Sequence, residues 1–202
     1  MTHSRGQAIE DTQESQKTST NAPVLVTGAA GGLGGVGTVI VEILRRRGLP
    51  VRALVHREDE RAEALRATGA EVVVGDLTHA EDVARALAGC RRLYFGMSAS
   101  SSYLEATVTT AAVARDRGDL EVFVNISQMT VSQMSLYEMT DSPQQRQHWL
   151  AEQVLNWSKI ARRASAPHGF PPESLLPGLG RRVYRQGRHH PAAFRNRPHV
   201  AD

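Results

Sequence analysis

The chain has 202 residues, 41% hydrophobic and 22% charged, with a formal net charge of +3. That length suffices for one domain with a core but not for two full domains, and no apolar run reaches the roughly 18 residues of a membrane span. The single cysteine, Cys90, excludes an internal disulfide framework and a cysteine-rich metal site, and the polar, acidic start of the chain fits neither a secretory signal nor a transit peptide, so a cytoplasmic setting is expected.

The positive charge lies at the end of the chain. Residues 161–202 contain eight arginines and only two acidic residues, a net +6, which leaves −3 on residues 1–160. The same segment holds six of the nine prolines and no sustained apolar period. The body therefore gives no electrostatic reason to expect nucleic acid. We predict disordered tails at 1–22 and 161–202 around a folded domain at 23–160.

Residues 23–160 alternate short runs of branched apolar residues with helical stretches. In chain order we predict five strands, at 24–27, 51–55, 71–75, 92–96 and 121–126. The helices between and after them are predicted at 36–47, 58–67, 79–88, 101–116 and 143–157. Regular alternation of strands and helices is typical of an α/β fold with a doubly wound parallel sheet, here of about five strands in the order 3-2-1-4-5.

A glycine-rich turn joins the first strand to the first helix. The pattern GxxGxxG falls on Gly28, Gly31 and Gly34, and GxGxxG on Gly32, Gly34 and Gly37. Glycine permits a tight turn and a close approach of backbone N–H groups to a pyrophosphate, and the helix N-terminus that follows favours anions. A strand before and a helix after the turn are the context in which this motif indicates dinucleotide binding. The alternative is a glycine-rich turn without a ligand.

The ends of the second and third strands bear on the adenosine half of such a cofactor. An acid after strand two would favour NAD and a cation NADP; the sequence has His56 and Arg57 there. We favour NADP through Arg57, the alternative being a solvated cation without selectivity. Asp76, after strand three, is placed to accept from the adenine amino group or to cap the next helix, and the two roles are compatible.

Several motifs follow one another in a family-like order: VLVTGAAGG, VRALVHR, GAEVVVGDL, YFGMS, FVNISQM and HWLAEQVLNWS. With them, residues 23–158 resemble the NmrA-like branch of the atypical short-chain dehydrogenase/reductases, whose NAD(P)-binding domain is a Rossmann fold. That family includes quinone and azo-compound reductases and redox-sensing regulators that bind cofactor without evident turnover. The resemblance implies NADP(H), with NAD(H) as the alternative, and reduction of a quinone-like or carbonyl-like small molecule. A non-catalytic cofactor-binding protein is the alternative function.

The resemblance also implies individual cofactor contacts. Residues 96–98 are expected beside the cofactor ribose, and Ser127 with Gln128 near the nicotinamide. His56 stands where relatives often carry arginine, which leaves the choice between NAD and NADP open. The full set of matching positions is Gly28, Ala29, Ala30, Gly31, Gly32, Leu33, Gly34, His56, Arg57, Asp76, Leu77, Gly96, Met97, Ser98, Ser127 and Gln128.

The catalytic residues of the broader superfamily, a Ser and a YxxxK pair, are matched only in part. Tyr137 is followed four residues later by Asp141 instead of Lys, and His148 stands where relatives carry a Lys in the helix. A histidine can hydrogen-bond a ribose or donate a proton near neutral pH. The alternative for His148 is an exposed helix residue beside Trp149. Ser127 is expected to contact cofactor or substrate, because no base that would make it a nucleophile is identifiable.

After residue 158 the sequence departs from the resemblance. Relatives continue into a sixth strand, whereas this chain becomes rich in Arg, Pro and His. With suitable synonymous codons, a shifted frame over residues 182–201 can encode an apolar continuation of the family type, so a frameshift or truncation is one explanation and a natural basic tail the other. Losing the substrate-binding part would yield an inactive product. It would also expose Trp149, Leu155 and Trp157, which predicts self-association.

Overall fold

The computed structural model of the protein describes residues 21–31, 35–160 and the backbone of 162–165. Its strands are β1 (Val24–Thr27), β2 (Val51–Val55), β3 (Glu71–Val74), β4 (Arg92–Phe95), β5 (Val122–Ile126) and β6 (Arg162–Ser165). Its helices are α1 (Val36–Arg46), α2 (Glu60–Ala67), α3 (Ala80–Leu87), α4 (Tyr103–Arg117) and α5 (Pro143–Trp157), with a 3-10 turn at Met129–Gln133. In this part of the chain, no helix combines the length and the apolar character that crossing a bilayer requires.

All six strands pair in parallel, in the order β3-β2-β1-β4-β5-β6. The doubly wound α/β fold and the order 3-2-1-4-5 predicted from the sequence are thereby confirmed. The sixth strand was not predicted: Arg162–Ser165 pairs with residues 123–126 of β5, beyond the predicted domain end at 160. Strand pairing uses backbone N–H and C=O groups, so the polar sequence RRAS joins the sheet without an apolar signal. Apart from β6 and residues 21 and 22, the predicted tails lie outside the described residues, at 1–20, 161 and 166–202.

Capping residues set where the helices begin. The α2 helix begins at Glu60, two residues later than predicted, because Asp59 is extended and its carboxylate accepts from the N–H groups of Arg61 and Ala62 at 3.0 and 3.3 Å. The α5 helix begins at Pro143 as predicted, with Ser142 as its N-cap.

The core lies on both faces of the sheet because alternate strand residues point to opposite sides. Val24 and Val26 pack with α1 and α2, whereas Leu25 packs on the other face with Phe95 and Phe123, against α3, α4 and α5. The β3 strand forms an edge of the sheet, which leaves its terminal residues exposed.

The predicted apolar patch on α5 is smaller than expected. Leu155 is only 1% exposed and belongs to the core on the α4 face of the sheet, so the prediction that it would be exposed is wrong. It lies four residues after the buried Ala151, on the helix face that packs inside the domain. Trp149 is half-buried, and Trp157 is 73% exposed.

Candidate functional site

The carboxyl ends of β1 and β4 are adjacent, and the chain leaves them toward opposite sides of the sheet. Such a switch point is where open parallel sheets bind their ligands. A fully buried side chain joins the two ends: the Thr27 hydroxyl donates to the Gly96 carbonyl at 2.9 Å and accepts from the Gly96 N–H at 3.0 Å. One residue of β1 therefore joins the two strand ends at the crevice.

The turn after β1 has a shape that requires glycine. Gly28 has φ +70°, and a Cβ there would lie 2.3 Å from the Gly96 carbonyl oxygen. A Cβ on Gly37 would lie 2.7 Å from the Ala29 Cα, so the start of α1 packs directly on the turn. The Gly31 N–H donates to the Gly28 carbonyl at 3.1 Å, which closes the turn. These close approaches fit a cradle for phosphates.

Part of the predicted glycine motif cannot be placed. Gly32, Leu33 and Gly34 lie outside the described residues. Ala29 is buried under the turn, and Ala30 is half-buried with its carbonyl directed to α2.

A cleft of about 310 Å³ lies above the crevice. It brings together predicted residues from the turn, from the end of β4, from the end of β5 and from α5, namely Gly28, Gly31, Gly96, Met97, Ser98, Ser127, Gln128 and His148. Sequence reasoning missed Tyr94 and Gln144 in this lining. Gln144 was detectable from its spacing, because it precedes His148 by four residues and so shares its helix face.

The predicted adenosine residues lie at the ends of β2 and β3, beyond the cleft's lining. The His56 Nδ1 is 3.9 Å from the Asp76 Oδ2. The other Asp76 oxygen accepts from the Thr78 N–H at 2.8 Å and from its hydroxyl at 2.7 Å, and these bonds lower the pKa of Asp76. Asp76 thus shapes the turn after β3, while His79 is the N-cap of α3. Leu77 is half-buried and Arg57 is exposed.

Another cation, Arg61, contacts the turn after β1 and was not predicted. The Arg61 Nη1 donates to the Ala30 carbonyl at 2.8 Å, and its Nε donates to Asp59 at 3.0 Å. The first turn of α2 is thereby attached to the turn after β1. This contact could not be predicted from the sequence, because it depends on where α2 begins.

Buried polar side chains form a cluster on the side of the cleft that Ser127 and His148 line. His148 is 6% exposed, so its alternative interpretation as an exposed helix residue is wrong. Its Nδ1 lies 3.1 Å from the Tyr103 hydroxyl. Ser127, 4% exposed, donates its hydroxyl hydrogen to Glu152. Tyr137, by contrast, is 92% exposed on a loop and does not line the cleft.

The Asp76 turn predicts a pH-dependent contribution to stability. Because its native pKa lies below the unfolded value, the carboxylate stabilises the fold above about pH 4, and this stabilisation is lost as pH falls through the native pKa. We expect Asp76→Asn to lower the free energy of unfolding by about 1 kcal/mol at pH 7, and this difference should shrink as the pH falls below about 4. Urea unfolding across pH measures this, with exposed Asp141→Asn as the control. A pH-independent difference would contradict the assignment.

The family to which the chain belongs follows from a family model that matches most of the domain. A family model described as NAD(P)H-binding matches residues 31–166. The chain belongs to the NAD(P)H-binding family. The NAD(P)H-binding Rossmann domain that the resemblance implies is thereby confirmed. The match ends one residue after β6, which places this strand within the NAD(P)H-binding domain.

Three of the proteins to which the chain is similar are named as a ketoreductase, a quinone oxidoreductase and a reductase. The chain is 37% identical over 76 residues to 4-hydroxy-2-methyl-3-oxo-4-farnesyl-3,4-dihydroquinoline-1-oxide ketoreductase of Stigmatella aurantiaca, covering 38% of this chain and 22% of that protein. The NADPH complex of an Escherichia coli NADPH-dependent quinone oxidoreductase superposes with TM-score 0.56 and 21% identity, over 70% of this chain and 47% of that one. The NADP(H) complex of Citrobacter sp. triphenylmethane reductase gives TM-score 0.56 and 23% identity, over 70% and 48%. The chain thus spans less than half the length of each of these three proteins.

Proposed function

We propose that this NAD(P)H-binding protein is a reductase that uses NADP(H) to reduce a carbonyl-like or quinone-like small molecule. The observation that carries the proposal is the approach of Gly28 to Gly96, which leaves a backbone-lined crevice at the switch point of the sheet. The ketoreductase and the quinone oxidoreductase among the similar proteins support the class of substrate.

Different residues of the cleft would bind different parts of the cofactor. Gly28 and Gly31, with the start of α1, would bind the phosphates. Residues 96–98 would contact the ribose, and Ser127 with Gln128 would lie at the nicotinamide. When bound, the reduced nicotinamide supplies a hydride to the substrate, and the protein supplies binding and orientation.

The preference for NADP over NAD would come from exposed cations at the adenosine end. Arg57 is the second residue after β2, and its side chain has no hydrogen bond to any residue that the structure describes. Arg61, in the first turn of α2, pairs with Asp59 and donates to the Ala30 carbonyl of the phosphate turn. A 2′-phosphate between these side chains would gain charge-assisted hydrogen bonds that a 2′-hydroxyl does not offer.

Removing the Arg57 cation tests this preference. We expect Arg57→Ala to weaken NADPH binding about tenfold or more, because a hydrogen bond to a charged group contributes about 1.5–3 kcal/mol. NADH binding should change little. Isothermal titration calorimetry with both cofactors measures the ratio of affinities. Arg47→Ala, an exposed arginine after α1 at the other end of the sheet, is the control. Equal losses for NADPH and NADH would exclude Arg57 as the selective residue.

The function itself is tested in two steps on the full chain. Calorimetry first determines whether NADPH or NADH binds. Absorbance then follows NADPH oxidation in the presence of a soluble quinone. No heat from either cofactor would overturn the proposal. Binding without quinone-dependent oxidation would favour a cofactor-binding protein without turnover, a second candidate supported by the absence of lysine among the described residues that line the cleft.

A further inference from the structure

A tyrosine outside the cleft's lining contacts the cleft histidine. Tyr103, at the start of α4, is fully buried, and its hydroxyl lies 3.1 Å from the Nδ1 of His148 on α5. The two rings are 4.9 Å apart, tilted by 60°. His148 lines the cleft, so with Nδ1 taken by Tyr103 the nitrogen left to serve the cleft is Nε2.

The surroundings keep both partners of this contact neutral. Burial and the nearby Glu152 carboxylate raise the pKa of Tyr103, while the side chain of Asn125 acts in the opposite direction, so the phenol keeps its proton at neutral pH. Burial lowers the pKa of His148, which favours the neutral imidazole. A hydrogen bond between a protonated phenol and a neutral imidazole has two possible directions: the phenol donates to a bare Nδ1, or Nδ1–H donates to the phenol oxygen. With Nδ1 accepting from Tyr103, the hydrogen of the ring must lie on Nε2.

We propose that Tyr103 is a positioning residue that fixes His148 as the Nε2–H tautomer, so that the imidazole donates a hydrogen bond to an oxygen acceptor in the cleft. This inference rests on the proposed function. Two bound molecules would offer such an acceptor. One is the cofactor, through a hydroxyl or amide oxygen, and the other is the substrate, through the oxygen that is being reduced. A neutral donor stabilises negative charge developing on that oxygen without itself carrying a charge into the site.

The tautomer is measured directly by long-range ¹H–¹⁵N NMR of the ¹⁵N-labelled full chain. We expect a pyridine-like Nδ1 and a pyrrole-like Nε2 for His148, whose signals are assigned by their loss in His148→Gln. Tyr103→Phe keeps the ring that packs against Phe95 but removes the hydroxyl, and both nitrogens should then shift toward intermediate, averaged values. Tyr137→Phe removes a hydroxyl from an exposed tyrosine that does not line the cleft; it is the control and should leave His148 unchanged.

Ligand titrations distinguish the two acceptors. A change in the Nε2–H signal with NADP⁺ alone assigns the acceptor to the cofactor. A change only when a soluble naphthoquinone is also present assigns it to the substrate, and because both molecules are then oxidised, no turnover interferes. A pyrrole-like Nδ1 in the wild-type chain, or no response to either ligand when calorimetry shows them bound, would overturn the inference. The expected tautomer in a chain that binds no cofactor would overturn the proposed function but leave the Tyr103 assignment intact.

Discussion

Gly28→Ala should abolish measurable NADPH binding and lower the free energy of unfolding by about 2–5 kcal/mol. The added Cβ would lie 2.3 Å from the Gly96 carbonyl oxygen, and backbone of β1 or β4 would have to move. It would also hold an L-residue at φ +70°, a conformation that costs energy without any contact. Either shift changes the crevice in which we place the phosphates. Calorimetry with NADPH and urea unfolding measure the two effects.

Gly89→Ala separates the collision from the backbone strain. Gly89 has φ +73°, but a Cβ there meets nothing within 4 Å, and the residue follows α3, away from the cleft. We expect this variant to lose about 1 kcal/mol and to bind NADPH like the wild type. If Gly28→Ala were no worse than Gly89→Ala in stability and binding, the close approach of β1 to β4 would not be what forms the site.

The second large effect is expected for Thr27→Val, a substitution that keeps the size of the side chain and removes its hydroxyl. The Gly96 N–H and carbonyl would both lose a buried partner, which costs about 2–4 kcal/mol. The ends of β1 and β4 would no longer be joined, so NADPH affinity should also fall. Urea unfolding and calorimetry on the same preparation test the two expectations together.

Thr107→Val is the matched control for this change. Thr107 is as fully buried as Thr27, but its hydroxyl donates at 2.8 Å to the Tyr103 carbonyl, one turn earlier in the same helix. That carbonyl keeps the backbone partner of a regular helix, so we expect a loss below about 1 kcal/mol and unchanged NADPH binding. Similar losses for the two variants would show that burial of a hydroxyl, and not the bridge between strands, determines the effect.

The parts of the fold that follow from periodicity could be predicted from the sequence. The limits of β1 and β2 agree with their apolar runs, and the glycine turn between β1 and α1 has the close contacts that its residues suggested. The sixth strand could not be predicted, because the backbone edge of β5 receives a segment whose side chains carry no strand signal. The α2 helix begins late because Asp59 uses its carboxylate as a cap, a choice that local sequence leaves open.

The parts of the candidate site that the backbone forms could be predicted from the sequence. The contacts between distant side chains could not. Glycine spacing identified the turn, and the ends of β4 and β5 follow from the parallel topology. The contact between Tyr103 and His148 joins residues 45 positions apart on two helices, and no spacing rule reaches that far. The Ser127 contact with Glu152 was missed for the same reason.

The bridge from Thr27 to Gly96 has a consequence for the order of events during synthesis. Its two partners are separated by 69 positions, and everything between them must be translated before the bond can close. A nascent chain that has exposed only β1, α1 and β2 holds the glycines but has no opposing strand against which to set them. The capacity to retain a coenzyme would therefore arise abruptly, when β4 leaves the ribosome and docks beside β1, because non-local pairing completes late.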